Sequence, residues 1–317
     1  MKPITFTPDL STTASEHARS FGIAEALKST PETPLGYTGL EVAGSDAATF
    51  LQGQMTANVT ALSIGQCQLS ALCEPKGRVI AQMDILRTGE EAYALILAHR
   101  LAAAVITTLK KYLMRSKVTI TPWPEQPGFS LRTADNAPAQ GQGYLGSDQI
   151  VVCRPTWLPL NDPKWVLTNG STDAGEAEAD PRDLTWAHAH VLFGIAPPVT
   201  ATDLQYIPQM LNLDILEGIS MTKGCYTGQE IIARVHHRGS VKRRLRRFLV
   251  DGNSDIEIGH AVEDEAGSNA GSIVEVALDD DGQLAVLAVV KESAYSPEAT
   301  LGCHGATLRQ WNLHYEV

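Results

Sequence analysis

The chain has 317 residues, 44% of them apolar, with 36 acidic against 25 basic side chains and a formal net charge of −11. That length and apolar content support two or three domains with an ample core, and the negative surface repels nucleic acid except at a local patch. No apolar run reaches the roughly 18 to 20 residues of a membrane span, and residues 1–10 lack a basic start and an apolar signal core, so no membrane contact and a cytoplasmic location are expected.

In chain order, residues 15–28 read as a helix, and a short strand at Glu41 and Val42 follows Tyr37. Ser45 is placed to cap a helix through Leu51 that Gly53 ends. Residues 66–87 carry short apolar runs divided by Pro75, Lys76 and Gly77, which predicts a hairpin turning there. A strand is expected over 92–98. Over 99–115, Leu101, Val105, Leu109 and Leu113 fall at helical spacing, with Lys110, Lys111 and Arg115 where cations suit the helix dipole. Residues 118–121 return as a strand, giving an α+β pattern rather than a run of βαβ units.

Residues 122–180 are rich in Pro, Gly, Asn and Asp, and an internal boundary or a long excursion belongs there, with strands at 150–153 and 165–167. The string from Gly141 to Gly146 matches a dinucleotide fingerprint, but it leads into a strand instead of a helix and is rejected. Asp180 and Pro181 open a helix carrying Leu184, Trp186, Ala187, Val191 and Phe193, which Gly194 closes ahead of Pro197 and Pro198. His188 and His190 point to different faces of that helix, and His236 and His237 are adjacent, so no histidine pair makes a metal site. The last 75 residues read as all-β, a small barrel or sandwich, with a hairpin at 273–291 turning at Asp279–Gly282. That turn begins like a calcium loop but lacks the closing glutamate.

The densest chemistry lies at 223–239, Lys-Gly-Cys-Tyr-Thr-Gly-Gln-Glu followed by Ile-Ile-Ala-Arg-Val-His-His-Arg-Gly. Thr227 and Glu230 have capping-box spacing, which predicts a helix to about His237 closed by a left-handed Gly239. Gly224 turns the chain, and Cys225 then sits within about a turn of the positive helix end and two residues from Lys223, an environment that lowers a thiol pKa and attracts a carboxylate-bearing ligand. The plainer alternative is a well-capped surface helix with a buried structural cysteine. Cys67, Cys73, Cys153 and Cys303 complete an odd set without a C-x-x-C pair, against both a disulfide framework and a self-contained metal site. Beyond the motif, Lys242, Arg243, Arg244, Arg246 and Arg247 form a basic run. It reads either as a solvated edge strand kept from aggregating by charge or as a docking surface for an acidic partner, a polyanionic ligand tail or RNA phosphates.

The Lys-Gly-Cys-Tyr-x-Gly-Gln-Glu string, with Arg234 and Gly239 behind it, resembles the YgfZ-type folate-binding proteins, bacterial relatives of a mitochondrial iron–sulfur assembly factor. The likeness extends to Phe50-Leu-Gln-Gly-Gln54, Pro75-Lys-Gly-Arg78, Lys111-Tyr112 before Lys117-Val118, Ile207-Pro-Gln209 and Asn212-Leu213, and is weakest between 125 and 180. It implies the α+β, aminomethyltransferase-like fold shared with the glycine cleavage system. In that fold residues 1–240 form two intertwined α+β subdomains around a folate site, and residues 241–317 form a C-terminal β-barrel. It further implies tetrahydrofolate bound near the aromatic residues Tyr37 and Trp186, with Gln209, Asn212, Lys223 and Glu230 as further folate-binding residues. Cys225 is the implied functional thiol, and a transient iron–sulfur cluster there would need ligands from outside the chain. The implied partners are iron–sulfur proteins, including tRNA-modifying enzymes, or the cluster-assembly machinery, with direct RNA contact assigned to the 242–247 run.

Two alternatives stand beside that reading, an aminomethyltransferase and an RNA-binding module. The transferase carries paired aspartates shortly after its hairpin glycine, where this chain has Ala81 and Gln82 after Gly77 and Asp84 as the nearest substitute. Aminomethyl transfer is therefore not expected, and the chain reads as an accessory factor rather than a conventional enzyme. The helix end Val191-Leu192-Phe193-Gly194 lacks the charged residue that relatives often carry there.

Overall fold

The computed structural model describes residues 37–123, 130–133, 138–145, 151–154, 165–168, 186–195, 205–252, 255–279, 282–296 and 298–317. The helix expected at 15–28 and the cap at Asp180 and Pro181 lie outside them. Two compact units divide the chain, one holding Leu35–Asp183 with Pro197–Val241, the other Leu184–Ala196 with Lys242–Val317.

The first unit is built on an antiparallel sheet of β1 (Tyr37–Ala43), β2 (Cys67–Cys73), β3 (Val79–Gly89), β4 (Ala92–Ala98) and β5 (Thr119–Pro122), in the order β2-β3-β4-β1-β5. Val79 to Leu86 and Tyr93 to Ala98 are buried without alternation, so both faces of β3 and β4 are covered. Helix α1 (Ala47–Gln52) buries Ala47, Phe50 and Leu51, and α2 (Ala102–Leu113) buries Val105 and Leu109, two of the four positions that predicted it. Burying each such large side chain contributes roughly 1.5 to 3 kcal/mol. The residue preceding α1 is Asp46, with no side-chain cap, instead of Ser45. A second sheet joins β6 (Ser130–Thr133), β9 (Trp165–Thr168), β8 (Val151–Arg154) and β7 (Gln142–Leu145) in that order, which puts residues 142–145 of the fingerprint-like string in a strand.

The hairpin turn between β2 and β3 falls where Pro75, Lys76 and Gly77 placed it, and Gly77 takes φ +73°. Helix α4 (Gln229–Arg238) starts against this turn. Gly228, at φ +85°, precedes the helix in left-handed geometry, and a Cβ on it would lie 2.7 Å from Glu74 O and 2.9 Å from Gly77 Cα. The capping box is therefore overturned. No side chain caps α4, because the Thr227 hydroxyl bonds Gln54 Oε1 at 3.2 Å and the Glu230 carboxylate turns to Arg234 at 2.9 Å. Gly239 is extended, at φ −123°, and not left-handed.

The second unit is a closed six-stranded barrel of β10 (Arg243–Asp251), β13 (Leu284–Lys291), β12 (Asn269–Leu278), β11 (Ala261–Glu263), β14 (Leu301–Cys303) and β15 (Ala306–Gln310). Phe248, Ile273, Val286, Ala288, Val290, Leu301 and Leu308 fill its core. Helix α3 (Trp186–Phe193), closed by Gly194 at φ +67°, packs on β12. A register step between Ile273 and Glu275 is a bulge that re-aims Glu275, whose carboxylate meets His190 Nδ1 at 2.7 Å with both residues buried. The edge-strand reading of the basic run holds only in part: Arg243 to Arg247 pair with β13 while β15 pairs with β10 only from Phe248 onward, but Arg246 and Arg247 are buried instead of solvated.

Candidate functional site

The motif at 223–228 is held to the loop after α1 from two sides. Lys223 is 8% exposed, and its Nζ donates to the carbonyl oxygens of Gln52 at 2.7 Å, Met55 at 2.6 Å and Ala57 at 2.8 Å, using all three ammonium donors. It also lies 4.9 Å from the centre of the Tyr226 ring. Burial lowers its pKa to about 8. On the far side, Thr227 donates its backbone N–H to Gly53 O at 3.2 Å and its hydroxyl to Gln54. The same loop is fastened again by Thr56, whose hydroxyl donates to Gly218 O at 2.6 Å while its carbonyl accepts from Ser220 N–H at 2.9 Å.

Between the two anchors, Gly224 and Cys225 stand at the surface. A Cβ on Gly224 would have no neighbour within 4 Å, and Cys225 is exposed whereas Cys67, Cys73 and Cys303 are buried. Burial, with Glu74 adding to it, pushes the Cys73 thiol well above its ordinary range, and burial also raises Cys303. Cys225 is thus the exposed thiol of these four, and the buried structural cysteine of the plainer reading is excluded. The Lys223 charge is directed into the loop carbonyls, and the helix begins beyond Gly228, so what distinguishes Cys225 is presentation on a pinned turn.

The other expected site residues are spread over both units. Gln209 and Asn212 are 1% and 0% exposed in and after a single helical turn, Pro208–Leu211, with Gln209 Nε2 bonded to Ile232 O at 2.8 Å and Asn212 left-handed at φ 60°. Tyr37 opens β1 and is buried. Glu230 is exposed on α4, in an i,i+4 pair with Arg234, and does not join Lys223. Trp186 lies on α3 in the second unit, and its side chain falls outside the described residues. The donor set of the first unit suits a pterin in part: two buried amides and a tyrosine ring have the right chemistry, while Lys223 and Glu230 are engaged within the protein. Among the described residues no group of three or more His, Cys, Asp or Glu could hold a metal.

Sequence reasoning missed three features. The Trp123 ring lies on β1 at Gly39, where a Cβ would come within 2.3 Å of it, and a glycine inside a strand was the available signal. Glu275, a lone charge in an apolar strand, marked the buried partner of His190. The third is the fate of the basic run. Arg246 is 9% exposed, its Nη2 donating to both carboxylate oxygens of Glu292 at 3.0 and 2.9 Å and its guanidinium lying 4.2 Å from the Tyr295 ring centre. Arg247 is 6% exposed, 3.8 Å from the Trp311 ring, and donates to Leu192 O at 2.5 Å and to Asn312 O. Burial lowers its pKa to about 10, opposed by Tyr315. Two of the five cations assigned to RNA are therefore not presented to solvent.

The tRNA-modifying protein YgfZ of Escherichia fergusonii is 30% identical over 279 residues, covering 81% of this chain and 84% of its own length. The YgfZ protein of Enterobacter sp. strain 638 is 31% identical over 270 residues, with 78% and 81% covered. The chain belongs to the YgfZ family. A further relative, an uncharacterized protein of Haemophilus influenzae, is 32% identical over 234 residues, 74% of this chain and 78% of its own. The family model for the GCVT N-terminal domain matches residues 36–128. The crystal structure of the glycine cleavage system aminomethyltransferase T from Bartonella henselae superposes with a TM-score of 0.66 at 13% identity, covering 87% of this chain and 86% of that one. This YgfZ-family chain therefore has the aminomethyltransferase-like α+β fold and C-terminal barrel that its motif implied.

Proposed function

We propose that the protein is a tetrahydrofolate-binding accessory factor that maintains iron–sulfur proteins, among them enzymes that modify tRNA, with Cys225 as its working thiol. The observation that carries this reading is the presentation of Cys225: an exposed thiol on a turn anchored by Lys223 on one side and Thr227 on the other. A side chain kept only for packing needs no such platform. The relatives named tRNA-modifying proteins support the tRNA connection. Folate binding rests on the family resemblance and on the chemistry of Tyr37, Trp186, Gln209 and Asn212.

The transferase alternative is weaker. Ala81 and Gln82 stand where paired carboxylates are needed, and Asp84 is 2% exposed between cross-strand neighbours Leu69 and Ile96.

Anaerobic calorimetric titration with tetrahydrofolate tests the ligand, and saturable binding that Trp186→Ala weakens by about 1 to 3 kcal/mol is expected if the pterin stacks there. Absence of binding removes folate from the reading. Cys225→Ser is expected to keep the fold and folate affinity but to leave iron–sulfur enzymes inactive in cells lacking the protein; full complementation removes the thiol.

A further inference from the structure

We propose that residues 110–117, at the C-terminal end of α2, form a docking surface for single-stranded RNA. Lys110, Lys111, Arg115 and Lys117 are exposed, and no carboxylate pairs with any of them among the described residues. Between them stand Tyr112, 38% exposed, and Met114, 92% exposed. The segment itself contains no acidic residue, in a chain whose net charge is −11.

Cations near a helix C-terminus have a plainer explanation in the helix dipole, which favours them there. That explanation covers Lys110 and Lys111. It does not cover Arg115 and Lys117, which lie past the helix, or an aromatic ring and a methionine left in solvent among four positive charges. The segment is also preformed. Met114 takes φ 27° where the helix stops, and Ser116 N–H donates to Leu113 O at 2.6 Å. Lys117 N–H donates to the Asp46 carboxylate at 2.7 Å, and a Cβ on Gly44 would fall 2.1 Å from Lys117 O, so the segment is pressed against the turn after β1. Asp46 is the acidic group nearest in these contacts, and the backbone N–H takes up part of its charge. Together the features give a preformed cationic segment with an exposed aromatic ring among its charges.

The chemistry matches a single strand of nucleic acid. Phosphates pair with the lysines and the arginine fork, and a base stacks on Tyr112. A lipid surface is a poorer match, since bilayer insertion draws on several large apolar side chains and only Tyr112 and Met114 are offered. That the strand is RNA rests on the tRNA-linked role proposed above. The surface replaces the 242–247 run as the place of contact, because Arg246 and Arg247 are buried.

The test is fluorescence anisotropy of a fluorescein-labelled dodecamer of uridylate with the full chain, a readout independent of folate and of cluster chemistry. With about three phosphates neutralised, affinity should fall about twenty-fold between 50 and 200 mM salt. The triple variant Lys110→Glu, Lys111→Glu, Arg115→Glu should lose binding at least ten-fold. Its Gln counterpart, which adds no negative charge to the helix end, should reduce the salt slope by about 0.7 per cation removed. Tyr112→Ser should weaken binding several-fold at unchanged slope. Undiminished binding by the Gln triple overturns the proposal, as does loss of binding on Lys242→Glu, Arg243→Glu with the triple unaffected. Capture of the chain by phosphatidylglycerol vesicles in place of the dodecamer overturns it in favour of a membrane.

Discussion

Replacing Lys223 by Met keeps the length of the side chain and removes its three donors. The carbonyls of Met55 and Ala57 are buried and lose their partner outright, while that of Gln52 is part-buried and reaches water. Charge-assisted hydrogen bonds contribute about 1.5 to 3 kcal/mol each, so three are worth roughly 4 to 9 kcal/mol. Against this stands the desolvation that lowers the amine from 10.5 to about 8, which at about 1.4 kcal/mol per unit recovers roughly 3 kcal/mol when the charge is removed. The net expectation is a loss of about 1 to 6 kcal/mol in the first unit. Hydrogen exchange followed by mass spectrometry reads it locally, with amides at 53–57 and 220–227 losing protection while the barrel keeps its own. The pH dependence has a definite sign. Because the folded-state pKa lies below the unfolded one, the unfolded chain holds the extra proton between about pH 8 and 10.5, and wild-type stability should rise relative to Lys223→Met across that window. If Lys223→Met lies within about 0.5 kcal/mol of wild type with unchanged exchange at both segments, the Lys223 clamp has no energetic role.

Iodoacetamide at neutral pH should modify Cys225 well before Cys67, Cys73 or Cys303, as peptide mapping would read. Equal labelling would mean that the buried thiols open as readily as the exposed one. In the second unit, Glu275→Ala should destabilise the contact of α3 with β12 by about 2 to 4 kcal/mol by leaving His190 buried without its carboxylate, and Glu275→Gln by less than half of that. Equal effects of the two, measured by exchange at 190–193 and 270–278, would show that the hydrogen bond contributes nothing.

Where the determinants were local, the sequence was readable. Pro75, Lys76 and Gly77 turn their hairpin, Val105 and Leu109 bury the face of α2 that their spacing marked, and Gly194 closes α3 in the left-handed geometry that favours glycine. Thr227 and Glu230 had the right spacing for a capping box, yet Gln54, far away in sequence, takes the hydroxyl, and the helix starts on a left-handed glycine. Nothing near Lys223 announces that its acceptors come from residues 52–57. The run at 242–247 misled because strand alternation sends Arg246 and Arg247 to opposite faces of β10, which ordinarily leaves one in solvent. Here Arg246 meets Tyr295 and Glu292, while Arg247 caps the last turn of α3 and stacks on Trp311.

The contact of Gly228 with the turn at Gly77 ties two distant stretches of sequence into a single mutational unit. A methyl on Gly228 meets Gly77 Cα at 2.9 Å, and one on Gly77 meets Gly228 O and Ile231 Cβ, each at 3.1 Å. Either substitution forces the same two surfaces apart, so most of the damage of the second is already done by the first, and the pair should show sub-additive epistasis. A lineage that moved one of these glycines would find the other released from constraint, and the turn bearing Cys225, which leads directly into Gly228, would shift with them.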